Sequence, residues 1–235
     1  MRPKAAAARI VPLLCLSLSG CSGLFHSTAA PEQTYFLRAL SGTGAAATAA
    51  PDGSKVTPTA AGVSVRVGRP SAAPGLATPR IMLVQADHRM NFYAASRWPV
   101  AAPDLLEALA VQTLRSSGAW ASVEDSASPF PSDYLLHFVV RRFEADYTEG
   151  GPAPVVHVVL DCTLGRREGR VVIAAFVASG TAPAAANRLG DVVAAFEQAT
   201  GAALSALSQQ ATQVARGDAP RAAQNAASPA PSSSR

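Results

Sequence analysis

The chain has 235 residues, 20 basic and 16 acidic, with 49% apolar and 15% charged side chains. That length fits one domain with extensions. Three of the 20 basic residues, Arg2, Lys4 and Arg9, precede residue 21, which leaves 17 against 16 beyond it and excludes a protein built to bind nucleic acid or another polyanion.

The first segment is basic at its start and has no acidic residue before Cys21. Ile10 to Leu18 is an apolar core of nine residues, too short for a bilayer span of about 20. A basic start, a short apolar core and small residues at the cut describe a secretory signal peptide. Leu18-Ser19-Gly20-Cys21 resembles a bacterial lipobox. The expected cut falls between Gly20 and Cys21. Small residues there admit the backbone to a peptidase, and the Cys21 sulfur is the atom that takes a diacylglycerol. No other cofactor is expected. Residues 1–20 then form the signal peptide, and two or three acyl chains suffice for stable anchoring. Ser22, not Asp, follows the cysteine. In enteric-type bacteria this is the default for sorting to the outer membrane.

Residues 21–33 read as a tether and 34–215 as the folded domain. Thr34 to Arg38 is a short strand candidate. Residues 41–61 are Ala, Gly, Thr and Pro, and read as a flexible loop. Val63, Val65 and Val67 alternate with polar residues, as in a half-buried strand. Arg80 to Val84 and Met90 to Trp98 follow, joined by a hairpin at Asp87-His88. Pro103 opens a helix carrying Leu105, Leu106, Leu109, Ala110 and Leu114, and Gly118 stops it. Trp120 to Val123 is another short strand.

Tyr134 to Tyr147 is a long alternating run whose phase slips by one at Arg141-Arg142, as a β-bulge requires. Val156, Val158, Leu160, Cys162 and Leu164 line the next strand, and Val171 to Ala178 returns antiparallel after a polar hairpin loop over 165–170. Asp191 to Val214 has helical spacing. Residues 216–235 are too poor in apolar surface to offset the entropy of ordering, and are expected to be disordered. The fold expected is α/β, with a single mixed, largely antiparallel sheet and two main helices packed on one or both of its faces.

Chemistry is hard to assemble from these residues. Lys55 is the one lysine beyond the signal segment, and no phosphate-binding Gly-rich loop contains it. The chain therefore cannot power transport by itself. Cys162 alternates with apolar residues and reads as a small buried hydrophobe. His137 and His157 fall on neighbouring strands with Asp161 four residues beyond His157 on the same face, but zinc wants three or four ligands, and a polar sheet face explains them better. No metal is expected, and no nucleophile–base pair emerges, so no enzyme is expected. Arg97-Trp98 before the first helix either packs that helix onto the sheet or anchors a partner, since Trp, Tyr and Arg are enriched at binding hot spots.

The lipobox cysteine, then Tyr35-Phe36-Leu37, Val63-Ser64-Val65-Arg66-Val67, Arg80-Ile81-Met82-Leu83-Val84, Arg97-Trp98 before the Leu-rich helix, and Gly118-Ala119-Trp120 occur in an order that resembles the ABC-type transport auxiliary lipoproteins. This group includes the PqiC-like proteins. The resemblance implies a small α/β domain on the periplasmic face of the outer membrane, held there by its lipid. It implies partnership with an MCE-domain periplasmic protein, an ABC permease and its ATPase, and lipid traffic between two membranes. It also implies self-assembly into a homo-oligomer in some members. Tyr35, Arg97 and Trp98 are the residues offered for partner binding. The other reading is a lipoprotein that itself binds and shuttles a lipid or hydrophobic ligand.

Overall fold

The structure is a computed structural model in which residues 31–38 and 62–227 are described, with side chains to Asp218. Gly20, Cys21, most of the tether, the loop 41–61 and residues 228–235 lie outside them. The described residues form nine strands and two helices. In chain order these are β1 (Gln33–Thr34), β2 (Ser64–Val67), β3 (Ser71–Ala72), β4 (Arg80–Val84), β5 (Met90–Arg97), α1 (Ala102–Ser116), β6 (Ser122–Glu124), β7 (Tyr134–Asp146), β8 (Val155–Arg166), β9 (Val171–Pro183) and α2 (Leu189–Ala227).

All nine strands belong to one mixed sheet organised by β7. β8 pairs antiparallel with β7 along its whole length, from Tyr134↔Arg166 to Asp146↔Val155. The other edge of β7 takes three short strands in turn, all parallel: β2 at Tyr134 to Leu136, β3 at Val139-Val140 and β4 at Ala145-Asp146. β6 flanks β2, β5 flanks β4 and β1 ends the row beside β5. β9 extends the sheet antiparallel to β8. The expected largely antiparallel sheet is therefore right for the long ladders; the short strands bring in parallel pairing.

The phase slip in β7 is a bulge. Val140 faces Leu160 and Arg142 faces Val159, so Arg141 is the extra residue. Leu136, Phe138 and Val140 before it, and Phe143 and Ala145 after it, are all buried on one side. Without the extra residue the second half of the strand would turn its apolar set outward. On β8 the buried set is Val156, Val158, Leu160, Cys162 and Leu164, as the alternation predicts.

Both helices cover that one side and touch each other, α2 over β7 to β9 and α1 beside β2 and β6. Pro103 lies in the first turn of α1, and Gly118 takes φ +62° just past its end. α2 approaches β9 through small residues: Ala195, Ala199 and Ala203 on the helix meet Ala178, Gly180 and Ala182 on the strand, all buried or, for Gly180, in backbone contact. At the centre Trp98, Phe143 and Phe196 stack with ring centroids 5.0 to 5.7 Å apart, joining the start of α1, the strand after the bulge and α2.

Several elements differ from expectation, β6 at Ser122–Glu124 among them. β1 is two residues long, because after Thr34 the chain leaves the sheet edge to insert Leu37 into the core. β3 was not foreseen; its two small residues carry no periodic signal, and the pairing comes from the free edge of β7. β9 runs on to Pro183 because β8 supplies a partner that far. α2 runs to Ala227 instead of stopping at Val214. Asp218 fastens it there to Arg166 and Tyr134, and the Ala-rich sequence beyond favours helix despite Pro220.

Candidate functional site

The residues offered for partner binding do meet in one corner. β1 lies beside the end of β5, with Thr34 opposite Arg97. The Tyr35 amide donates to the Arg97 carbonyl at 2.9 Å, and the Tyr35 hydroxyl donates to Gln33 Oε1 at 2.7 Å. Arg97 pairs with Glu32 at 3.3 Å. Trp98 is different: it is 0% exposed and packs the approach to α1 against Phe143 of β7 and Phe196 of α2, so it cannot touch a partner without opening the core. Phe36 in the same corner is 69% exposed. Its exposure is not legible in the sequence, because it sits between Tyr35 and Leu37 and reads as part of a strand. Arg38 closes the corner onto α2, its amide donating to Glu197 at 2.8 Å.

The sheet face away from the helices carries the polar residues. His137 lies opposite Thr163, and His157 lies opposite Glu144. Seven strand residues separate those positions, roughly 20 Å, so the two histidines cannot share an ion. Asp161 instead pairs with Arg141 at 2.7 Å. Beyond the bulge, Arg142 bridges Glu144 and Asp146, at 2.5 and 2.8 Å. Burial alone would raise the Asp146 carboxyl, but two hydrogen bonds from Thr148 and the Arg142 guanidinium hold it below its ordinary value. Among the described residues no group of three His, Cys, Asp or Glu side chains is placed to hold a metal ion.

Cys162 is buried and free, with its thiol pushed up to about 12 by burial. A thiol that stays protonated is a poor nucleophile. Tyr93 and Tyr147 share a hydrogen bond of 2.8 Å, and Tyr147 donates on to Asn187 at 2.7 Å, tying β5 to the approach to α2.

At the other end of the sheet, where β8 turns into β9, the surface is shaped differently. A 3-10 turn over Glu168–Arg170 makes the turn, with Gly169 and Arg170 at positive φ. A groove of about 440 Å³ opens beside it, lined by Leu135, His137, Arg167, Arg170, Val171 and Val172 among others, with no carboxylate in its wall. Arg166 is engaged by Asp218 on α2 at 3.1 Å.

The sequence model described as the ABC-type transport auxiliary lipoprotein component matches residues 46–216. The crystal structure of protein XCC0632 from Xanthomonas campestris is similar with a TM-score of 0.63 and 28% identity, over 71% of this chain and 93% of that one. A second solved structure, described only as an uncharacterized protein, has a TM-score of 0.53 at 14% identity, over 80% of this chain and 99% of that one, and shows the shared fold alone. No curated protein matches the chain. A match over most of the folded residues, on a sheet and two helices shared with a solved relative across nearly its whole length, places this chain in the family of ABC-type transport auxiliary lipoprotein components.

Proposed function

We propose that the protein is a non-catalytic docking or acceptor subunit of an MCE-type lipid transport system, held at the periplasmic face of the outer membrane by acyl chains on Cys21. The family match carries this reading, since its members are auxiliary lipoproteins of ABC-type transport. The lipobox-like Leu18-Ser19-Gly20-Cys21 and the serine after it support the anchor and its destination. The chain brings no phosphate loop of its own, so the ATPase, the permease and the MCE-domain protein are separate partners. The exposed corner formed by Tyr35, Phe36 and Arg97 lies just beyond the tether and is the surface offered to one of them.

The shuttle reading needs an apolar cavity large enough to enclose a lipid. The middle of the domain is instead filled by Trp98, Phe143 and Phe196, and the groove beside the β8–β9 turn opens at the surface, which favours docking. Native mass spectrometry of detergent-purified protein separates the two. Docking predicts protein masses, singly or as a homo-oligomer, that carry only the covalent acyl chains. A stoichiometric, extractable phospholipid on each chain would contradict docking and establish the shuttle.

A further inference from the structure

We propose that the β8–β9 end of the sheet is a second membrane contact, which lies on the anionic headgroups of a bilayer and inserts apolar side chains between them. Large apolar residues are exposed together there. Leu135 is 39% exposed at the start of β7, and Val171 and Val172 are 45% and 64% exposed at the start of β9. Phe130, 66% exposed, lies four residues before β7 at the same end, its carbonyl held by the Arg66 guanidinium. The register joins these positions, because Leu135 pairs with Gly165, which pairs with Val172.

Charge selects the occupant. Arg167 and Arg170 precede the valines in the turn, with Glu168 between them; all three are exposed, and neither arginine has a carboxylate within ion-pair distance among the described residues. Arg166, by contrast, is neutralised by Asp218. The groove wall holds cations and apolar side chains and no acid, a combination that suits the boundary between phosphate headgroups and acyl chains. Helix α2 is fastened at this same end through Asp218 to Arg166 and Tyr134, so the tip is held rigidly.

The geometry permits both contacts with one membrane, a point that rests on the acyl anchor at Cys21. The twelve residues from Ser22 to Gln33 reach about 40 Å when extended. Along the sheet, the register sets Thr34 roughly 25 Å from the level of Tyr134.

The test places an environment-sensitive fluorophore on Val172→Cys in the intact lipoprotein, with Thr181→Cys on the same strand as control. Cys162 is buried and Cys21 acylated, so labelling is selective. The protein is incorporated into vesicles of phosphatidylethanolamine with phosphatidylglycerol, or of phosphatidylcholine alone, and each set is repeated with brominated lipid. A contact predicts blue-shifted emission and bromine quenching at 172 but not at 181, stronger with phosphatidylglycerol. Arg167→Gln and Arg170→Gln should each lower the inserted fraction about fivefold. Equal emission at 172 and 181, or a shift at 172 indifferent to phosphatidylglycerol and to the arginines, would overturn it. So would a shift seen only with added envelope protein, or only above the concentration at which copies associate. Protein left behind when the vesicles float would contradict the Cys21 anchor and the tip contact together, which separates that failure from the others.

Discussion

Gly180 of β9 lies directly beneath Ala199 of α2, so near that a Cβ at residue 180 would strike the Ala199 carbonyl oxygen and come within 2.8 Å of the Ala203 amide. Both obstacles are helix backbone, which cannot rotate aside. The whole seam between α2 and β9 depends on this approach, because Ala178, Ala182, Ala195 and Ala203 pack around it with almost no exposed surface. Gly180→Ala should therefore cost at least the 1–3 kcal/mol typical of overpacking. Thermal unfolding should show a lowered Tm, and Gly190→Ala, which has open space around it, should not.

Trp98 contributes area and shape to the core; its indole N–H has no hydrogen-bond partner among the described residues. Trp98→Ala should cost about 3–5 kcal/mol. Trp98→Phe keeps an aromatic ring against Phe143 and Phe196 and strands no polar atom, so it should retain most of the stability. Denaturant unfolding of the two variants checks this order. If both variants were stable and bound partners poorly, Trp98 would be an interface anchor after all.

Acid should weaken the end of β7. The Asp146 carboxyl is held below its ordinary value of 3.8 in the fold, so the folded state favours its ionised form. Its contribution is fully present above about pH 4 and is lost as the pH falls through the lower, folded value. Asp146→Asn should thus flatten the fall in Tm below pH 4 while lowering stability at neutral pH. A steep acid limb unchanged in Asp146→Asn would contradict the assignment.

Asp218 accepts from the Tyr134 hydroxyl at 3.1 Å and faces Arg166. Burial first, and then this hydrogen bond, push the Tyr134 phenol up to about 12. Asp218→Ala should bring it down toward its ordinary value, visible in an ultraviolet tyrosinate titration. The same change should speed hydrogen exchange in α2 beyond residue 214 while sparing the turns over β9. Loss of this half-buried, charged acceptor should cost about 1–3 kcal/mol.

Cys21→Ala should leave a precursor of unprocessed length that no longer fractionates with the outer membrane. Normal processing and sorting of that variant would remove the anchor from the account.

Much of this fold is legible in the residues because one face of the sheet is dry. The bulge at Arg141 could be placed from the phase slip alone, since Phe138, Val140, Phe143 and Ala145 all have to reach the same core. Cys162 could be assigned to that core for the same reason. Periodicity does not say how many faces are covered, and the structure shows both helices on one. It is silent on Ser71-Ala72, whose pairing is dictated by β7 and not by their own side chains. It also could not choose between the two roles of Arg97-Trp98, because a buried and an exposed Trp look alike before the helix position is known. The tip at Val171-Val172 escaped notice because two valines at the start of a strand look like core until the sheet is seen to end there.

The most direct test of the docking account is purification of the tagged, acylated protein from crosslinked envelopes in mild detergent. The account predicts an MCE-domain protein, a permease and an ATPase in the same fraction, in amounts that fall when Phe36 and Arg97 are changed to Ala and Gln. Recovery of the protein alone, with those partners absent from every fraction that contains it, would contradict it.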